Sequence, residues 1–551
     1  ERYTLGATIN YNPAEWFQNR LVLGLDNNNR EVRDFTPPDP RPEQPHGTTR
    51  SSGFIDYTTP TSYNWTVDYS GTVTTDINEE YNSAFSAGMQ LNARKQESFG
   101  ITGEGLVSQN LNLVGSAATT RGDQEFEEQT SLGFYVQEQV GYRNRLFATA
   151  AVRIDDNSAF GRDFSLVIYP KAQLSYVISD EEFFDVEWID QLKLRGAWGQ
   201  AGNPPDPFTA DRTYSPNVAV AADGQVVNIL RPSSFGNPDL KAETGSELEL
   251  GFESSLYDGR LGVEFSFYQQ NTKDALIRIP DPPSSGFSGS HFANVGEIKN
   301  SGLEFLITAT PLYTRNLQWD ASVSIGTNSN EMVDFGDAPV EEISFGSFAR
   351  VQKHIEGYPL GGFWGITGTV DANNDVTLGE EEYVGPSLPT REIGFTNTFT
   401  IMDDFRVFAN LDYKGGHYQW CAICSIRGRF DRNTYTHHGP DVPESEVALV
   451  RSNQTRRWIS EADFIKLREL SVSYQLPGSM LDNIGVNNAS LTVSGRNLWM
   501  WTKYGFPDQE GLGSPDPEVN FSSTAYGGFS RTDYASIPML RTFSASLRLS
   551  F

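Results

Sequence analysis

The chain of 551 residues has little cysteine and comparatively little positive charge, and both shortages exclude classes of protein. Cysteine occurs only at Cys421 and Cys424, so no framework of several disulfides can hold the fold together. Lys and Arg number 42 against 71 Asp and Glu, which gives a formal net charge of −29. Nucleic-acid binding is therefore not expected, because it requires a basic surface.

Long apolar runs and catalytic motifs are also missing. No uninterrupted apolar stretch is long enough for a helical membrane span. No Gly-x-Ser-x-Gly, phosphate-binding or dinucleotide-binding motif occurs, and nothing places two carboxylates together for glycosidase chemistry. We therefore expect no enzyme activity and assign no catalytic residue. A membrane β-barrel stays open, since its strands need only about 9–11 residues, half of them polar.

The feature that is present throughout is alternation with a period of two. In the last stretch, residues 539–551, one face carries Phe543, Ala545, Leu547, Leu549 and Phe551, and the residues between them are mostly Ser, Thr and Arg. An edge strand of a soluble sandwich would fit this pattern. A strand between lipid and water fits it equally, with an aromatic residue at the interface.

The connections between strand-like segments decide between these two interpretations. Short turns are predicted at residues 257–260 and 402–404, whereas residues 202–244, 280–294 and 415–460 form long connections. Short turns at one rim and long loops at the other are typical of outer-membrane barrels. We count roughly fourteen to eighteen strand-like segments, more than one ordinary sandwich contains. The fold class predicted is all-β: a transmembrane, antiparallel, up-and-down β-barrel with long extracellular loops.

Several motifs, in order along the chain, resemble the SusC/RagA-like TonB-dependent transporters of outer membranes. They are Gly-Gln-Ala-Gly-Asn at the end of residues 192–203, Asn-Pro-Asp-Leu-Lys-Ala-Glu-Thr at 237–244, and the blocks at 294–304, 357–361, 458–477, 493–498 and 539–551. The match extends from about residue 192 to the end of the chain, and earlier residues match only in strand style. Each block is weakly specific by itself, but their common order is specific.

This resemblance implies a fold, a function and partners. Residues 1–551 would be the C-terminal portion of a barrel of roughly 22 strands, without the plug domain, the first barrel strands or the segment that binds TonB. The whole protein would sit in the outer membrane of a Gram-negative bacterium and import oligosaccharides or peptides. TonB would supply the energy and a SusD-like surface lipoprotein would act as a lid. A passive porin-like channel and a soluble β-rich carbohydrate-binding or adhesion protein are the alternatives.

An acidic stretch predicts a candidate calcium loop. Oxygen-bearing side chains occur at Asp371, Asn373, Asp375, Thr377 and Glu382, with the spacing of a calcium-binding loop. The usual glycine at the sixth position is Val376, and no helices are predicted on either side. Ca²⁺ is therefore the one candidate cofactor, and a solvated acidic turn is the alternative.

The two cysteines and three aromatic residues complete the candidate sites. Cys421 and Cys424 are predicted to form a loop disulfide, with zinc bound together with His417, His437 or His438 as the alternative. Trp364, Tyr418 and Trp420 are candidate substrate contacts, because aromatic faces stack on sugar rings. Loop packing or a membrane-interface girdle is the alternative for all three aromatic residues.

Overall fold

A computed structural model describes residues 1–39, 52–161, 166–282, 284, 289–336, 340–346, 349–431, 435–481, 485–505, 516–520, 531–534 and 536–550. Regular structure in these residues is mostly β, which confirms the all-β prediction. The chain forms two units. Unit 1 comprises residues 1–174, 199–244 and 276–294, and unit 2 comprises residues 175–198, 245–275 and 295–551.

The strands in the first half of the chain are β1 Arg2–Ala14, β2 Phe17–Asn29, β3 Val32–Thr36, β4 Phe54–Asp76, β5 Tyr81–Leu106, β6 Ala117–Tyr142, β7 Leu146–Asn157, β8 Val167–Val177, β9 Ile189–Asn203, β10 Thr213–Val220, β11 Val226–Ser234, β12 Glu243–Leu256, β13 Leu261–Lys273, β14 Leu276–Pro280 and β15 Ser290–Asn294.

The later strands are β16 Glu297–Tyr313, β17 Leu317–Thr327, β18 Ser329–Asp334, β19 Glu342–Phe345, β20 Gln352–Ile355, β21 Gly362–Val370, β22 Val376–Gly385, β23 Arg391–Ile401, β24 Phe405–Gly415, β25 Tyr418–Cys421, β26 Ile459–Glu461, β27 Phe464–Gln475, β28 Asn488–Thr502, β29 Thr532–Asp533 and β30 Thr542–Ser550. Four short α-helices are α1 Ala422–Ile426, α2 Tyr435–His438, α3 Glu444–Arg451 and α4 Gly478–Leu481. None of the helices in the described residues is long and apolar enough to cross a membrane.

Unit 1 is built from strands that pair with their neighbours in chain order. The antiparallel pairs are β1–β2, β2–β4, β4–β5, β5–β6 and β6–β7, and short β3 adds to one end of β4. Strands β4 and β5 have 23 and 26 residues, about twice what a bilayer requires. They therefore extend well beyond the length that lipid could cover.

Unit 2, taken by itself, is also built from antiparallel pairs. Its pairs are β13–β16, β16–β17, β17–β23, β23–β24, β24–β27, β27–β28 and β28–β30. This up-and-down connectivity confirms the sequence prediction. Within the long connections of unit 2, β19–β22 form a small sheet, and β25 pairs with β26 and β29.

Tight turns and long connections alternate along the chain, as predicted. Residues 257–260 join β12 to β13, and residues 402–404 join β23 to β24. In these turns Tyr257, Asp258, Met402 and Asp403 have positive φ, the backbone of the turns that match the twist of paired strands. Other connections are long: residues 328–390 join β17 to β23, and residues 416–463 join β24 to β27.

The apolar face of the strands is exposed, and no second layer packs against it in the part of the chain that the structure describes. Phe399, Val407, Val472, Val493 and Ala545 form one continuous row across β23, β24, β27, β28 and β30. Val493 is 52% exposed, and Phe543 on the same side of the last strand is 75% exposed. A soluble monomer rarely exposes so large an apolar surface, so the sandwich alternative does not fit.

The opposite face carries paired charges. In unit 2 Arg195 lies 2.7 Å from Glu249 and 3.5 Å from Glu253, and Lys193 lies 3.3 Å from Glu253. All of these side chains stay partly exposed. These mid-strand carboxylates therefore lie on a hydrated face, where cations on the neighbouring strand balance them.

The buried core of unit 2 lies in its long connections. It includes Phe363, Trp420, Val450 and Trp458, which come from β21, β25, α3 and the segment before β26. These side chains are almost fully buried. The long connections are therefore packed structures with their own apolar interior.

The exposed row predicts that an arginine destabilises the protein more on the apolar face of β28 than on its polar face. Val493→Arg places a charge where lipid is expected, which destabilises a barrel by about 2–4 kcal/mol near the middle of the bilayer. Ser494→Arg is the matched control, because Ser494 is the next residue and lies on the polar face. The measurement is the free energy of unfolding of the intact protein in lipid bilayers. Equal losses for both variants would contradict the assignment of faces.

Candidate functional site

A cavity of about 570 Å³ lies where the polar face of unit 2 meets its long connections. Strands β13, β16, β17, β23, β24 and β27 provide one wall, and residues 388–390, 417–419, 517–520 and 531 provide the other. Its lining residues include Tyr268, Glu304, Asn328, Glu392, Lys414, His417, Tyr418, Gln419, Phe464, Glu518 and Arg531. The volume is in the usual range for a site that binds a small molecule.

A glycine turn at the end of β24 places His417 and Tyr418 in the cavity wall. Gly416 has a φ of +75° and a Cβ there would collide with Thr390, so a larger residue would not fit. Asp463 accepts a hydrogen bond of 2.7 Å from the Gly416 backbone N–H. The Tyr418 N–H then donates to the Pro386 carbonyl at 2.9 Å, which starts β25.

His417 is a buried imidazole with spare hydrogen-bonding capacity. The residue is 7% exposed, and its Nδ1 has no hydrogen-bond partner among the residues that the structure describes. Burial lowers the pKa of His417 to about 4, although the nearby Asp463 carboxylate acts in the opposite direction. The ring is therefore neutral at physiological pH, with one nitrogen as donor and the other as acceptor.

Tyr418 lines the cavity, in agreement with its selection from the sequence. Its ring lies directly against Gly385 at the end of β22, where a Cβ would overlap the ring. The partly buried ring therefore has one side fixed by β22 and forms part of the cavity lining. Contact with substrate stays a prediction.

Charged groups hold the far wall of the cavity to β27. The Lys466 ammonium is 0% exposed and lies 2.7 Å from Asp516, and it also contacts Glu518. The Arg468 guanidinium binds Glu518 at 2.6 Å and also binds Asp412 on β24. Burial alone would raise the pKa of Glu518, but hydrogen bonds from Arg468 and Lys466 lower it to about 2. Ion pairs therefore hold segment 516–520 against β27.

Trp420, the third aromatic candidate, does not line the cavity. Trp420 is 1% exposed and belongs to the apolar core of the long connections. Tyr418 and Trp420 are two positions apart on β25, and both contact that core, but Tyr418 is partly exposed and also lines the cavity. The position of Trp420 agrees with the packing alternative, and its contact with substrate stays a prediction.

Trp364 also lies in a packed cluster and does not line the cavity. Its ring centre lies 5.0 Å from that of Tyr358 and 5.5 Å from that of Tyr383. Lys353 lies over the same ring at 5.9 Å and pairs with Glu342 at 2.8 Å. Burial raises the pKa of Tyr383 to about 12. These contacts agree with the loop-packing alternative, and contact of Trp364 with substrate stays a prediction.

The candidate calcium residues are spread along a hairpin. Asp371 Oδ1 accepts hydrogen bonds of 2.9 Å from the backbone N–H groups of Asn373 and Asp375, so it stabilises the turn itself. Thr377 and Glu382 lie within β22, five positions apart, or about 16 Å along an extended strand. No cluster of His, Cys, Asp or Glu that could hold a metal ion occurs in the described ranges. Calcium binding here stays a prediction that would require β22 to rearrange.

The two cysteines lie at the start of α1. The Cys421 and Cys424 sulfur atoms are at bonding distance, and the Cα atoms are 5.3 Å apart, a usual separation for a disulfide. Both residues are 0% exposed, and Cys421 Sγ accepts a hydrogen bond from the Cys424 N–H. The loop disulfide stays a prediction with which this geometry agrees.

The ion-pair cluster was not predicted from the sequence, although a signal for it exists. Lys466 and Arg468 are two positions apart on one face of β27, and Asp516 and Glu518 have the same spacing. Complementary charges at matched spacing could indicate a loop that pairs with a strand. Strand assignment alone could not supply the partner, because about fifty residues separate the two pairs.

Comparison with known proteins assigns the fold and relatives. A family model described as TonB dependent receptor-like, beta-barrel, matches residues 1–498. TonB-dependent receptor P3 of Formosa agariphila is 27% identical over 489 residues, which cover 80% of this chain and 47% of that protein. TonB-dependent receptor SusC of Bacteroides thetaiotaomicron is 29% identical over 455 residues, covering 74% of this chain and 42% of SusC.

A solved structure, titled as that of the RagAB peptide transporter, aligns with all of this chain and 62% of its own, with a TM-score of 0.82 and 20% identity. At that identity the likeness shows the fold alone. The chain spans about half the length of the curated relatives it matches.

The ion-pair cluster predicts a large loss of stability when its buried cation is removed. Lys466→Met leaves the Asp516 and Glu518 carboxylates without their ammonium partner, and breaking a buried pair in this way destabilises a protein by about 3–5 kcal/mol. Lys503→Met is the matched control, because Lys503 is exposed and its pairs with Glu461 and Asp463 contribute little. Urea unfolding of the intact protein measures both. Similar effects of the two substitutions would contradict this account.

Glu518 predicts a dependence of stability on pH. Its pKa is lowered from 4.5 to about 2 in the folded protein, so its contribution is complete above about pH 4.5 and is lost as the pH falls towards 2. The difference in free energy of unfolding between the wild type and Glu518→Gln should shrink over that interval. A difference that stays constant from pH 7 to pH 2.5 would show that ionisation of Glu518 is not its source.

Proposed function

Because this chain belongs to the family of TonB-dependent receptor-like β-barrels, outer-membrane proteins of Gram-negative bacteria, we propose that it forms the wall and outer loops of an active importer. The imported solutes are oligosaccharides or peptides. The import is energised through TonB, and a SusD-like surface lipoprotein covers the opening.

The observation that carries this proposal is the position of the cavity. It lies on the polar face of strands whose other face exposes an apolar surface suited to lipid, and long packed connections form its outer wall. A solute bound there would stand on the hydrated side of a membrane wall. Aromatic rings, amides and carboxylates line it together, and these groups recognise hydroxyl-rich or amide-rich solutes.

Similarity supports the energy source and the lid. Two relatives carry the name TonB-dependent receptor, and one of them is SusC. The likeness to the SusC/RagA group motivates the lipoprotein partner. These relatives are about twice as long as the aligned part of this chain. The parts of the relatives beyond this chain would contact TonB.

A passive channel is the second candidate, because the same wall could surround an open pore. It differs from the first in its energy requirement alone. The soluble carbohydrate-binding alternative does not fit the exposed apolar rows on β28 and β30.

Uptake in cells with and without an inner-membrane proton gradient separates the two candidates. A strain without this gene should lose accumulation of its labelled oligosaccharide or peptide, and the gene should restore it. We expect a protonophore or deletion of tonB to abolish accumulation while binding at the cell surface persists. Accumulation that continues under both treatments would support the passive channel. Unchanged accumulation in the strain without the gene would overturn both.

A further inference from the structure

We propose that one half of β6 binds an extended segment of a partner protein as an added strand, and that this segment carries Lys or Arg at alternate positions. The surface is the free edge of β6, defined as the backbone of residues 118–128 on the side away from β5. This partner is additional to the imported solute of the proposed function, because a sheet edge binds it and not a solute cavity.

The two halves of β6 differ in their pairing. Strand β5 pairs with β6 over almost its whole length, whereas β7 pairs only with residues 131–142. No other strand that the structure describes pairs with β6. Residues 118–126 and residue 128 are also exposed. The free edge therefore offers backbone hydrogen-bonding groups over about 35–40 Å, at the rise per residue of an extended strand.

The free edge lies beyond the part of β6 that lipid would cover. The turn at residues 143–145 joins β6 to β7. Residues 131–142, next to this turn, already provide the length of about 9–11 residues that a bilayer requires. The free edge comes after them on the side away from the turn. It is therefore expected to lie in water, where another protein can reach it.

Alternation along β6 shows which backbone groups point out of the free edge. The Thr130 N–H donates to Ser158 Oγ at 2.9 Å, and the Thr130 carbonyl accepts from the Ser158 N–H at 2.9 Å. Both groups of Thr130 thus point away from β5, and this direction alternates from residue to residue. The N–H and C=O groups of Gly122, Gln124 and Phe126 therefore also point away from β5, out of the free edge.

The free edge lacks the usual features that block an added strand. Natural proteins commonly protect an exposed edge with proline, lysine or a bulge. Residues 118–128 contain no Pro and no Lys, and their register with β5 has no shift. A long and regular edge is the template for strand addition, in which main-chain hydrogen bonds supply the affinity.

The charges of the free edge select a basic segment. Four carboxylates occur against one guanidinium: Asp123, Glu125, Glu127 and Glu128 against Arg121. Asp123, Glu125 and Glu127 alternate on one face, and none of the three has an ion-pair partner among the described residues. Side chains on adjacent strands are close enough for opposite charges to attract. Lys or Arg at alternate positions of an added strand would therefore neutralise this face.

A cavity of about 590 Å³ beside the free edge gives the basic side chains room. Its charged lining residues are Arg30, Glu97, Glu125 and Glu127. Gln96 and Ser98 of β5 also line it and contribute oxygen atoms that accept hydrogen bonds. Ammonium and guanidinium groups are donors without acceptor capacity, so a lining rich in acceptors suits them.

A second copy of this chain is a poor occupant of the same edge. Two free edges paired with each other would place carboxylates next to carboxylates, and like charges directly opposite each other destabilise a strand pair. The carboxylates therefore oppose pairing between copies, whereas they attract a basic segment. The occupant is a segment of a different polypeptide.

The test is the binding of synthetic peptides of about twelve residues, the length of the free edge, to the intact protein in detergent. The first peptide alternates Thr and Lys, and the second alternates Thr and Glu. The third has the sequence of the first with every backbone amide N-methylated, so it keeps the charge and loses the N–H donors. We expect the first peptide to bind at least about tenfold more tightly than the other two.

Substitutions separate backbone pairing from attraction by net charge. Gln124→Pro removes an N–H that points out of the free edge and leaves the ladder with β5 complete, so it should weaken binding of the Thr-Lys peptide about tenfold. Gln124→Ala is the matched control and should bind like the wild type. Glu125→Lys combined with Glu127→Lys should also weaken binding about tenfold. Its control is Glu15→Lys combined with Glu79→Lys, because these carboxylates are exposed at short turns.

Folding of each variant is checked by its heat-dependent shift in gel mobility. The inference would be overturned by equal binding of the methylated and unmethylated peptides, or by equal binding of the proline and alanine variants. An equal loss in the two double lysine variants, or no binding of the Thr-Lys peptide, would also overturn it. None of these results changes the conclusion on import, which the uptake experiment tests separately.

Discussion

The structure depends on one constraint, which applies to every strand that has an apolar side and a polar side. The backbone groups of such a strand must all be hydrogen-bonded, and its apolar side must face lipid while its polar side faces water. In lipid an unpaired backbone group is expensive, so sheet pairing is required for strands that cross a membrane. Neighbouring strands meet this requirement by antiparallel pairing in chain order, as in β23–β24 and β27–β28. Alternation then assigns Val493 to the apolar side and Ser494 to the polar side.

The long connections are stabilised by an apolar core and not by strand pairing alone, and the cavity lies where they meet the strands. They form a buried core of their own around Phe363, Trp420 and Trp458, as a small soluble domain would. They meet the strands through polar contacts, which include the ion pairs of Lys466 and Arg468 with segment 516–520. One wall of the cavity is formed by strands whose side chains alternate between two faces. The other wall is formed by connections whose side chains pack into a core. For that reason His417 and Tyr418 line the cavity and are also largely buried.

How much could be predicted from the sequence varies with the kind of element. Alternation with a period of two predicts the two faces of β28 and β30. The short turns at 257–260 and 402–404 are predicted by the few residues between the strands and by their residue types. Tyr418 could be selected because an aromatic residue beside a strand end is easily recognised. The burial of Trp420 could not be predicted, because proximity to Tyr418 in the chain does not show how deeply each residue of β25 lies in the loop core. The candidate calcium residues have the spacing of a binding loop in the sequence, but they lie apart in the structure. The chain is extended in β22, whereas a binding loop would have to turn back on itself there.

The account makes one central claim, that the apolar and polar faces of these strands lie in different solvents. Nitroxide labels placed one at a time on residues 490–494 of β28, in the intact protein in lipid bilayers, measure this directly. We predict that accessibility to lipid-soluble oxygen peaks at 491 and 493, and that accessibility to a water-soluble nickel chelate peaks at 490, 492 and 494. A profile without this two-residue period, or one in which 491 and 493 are shielded from both reagents, would contradict the claim.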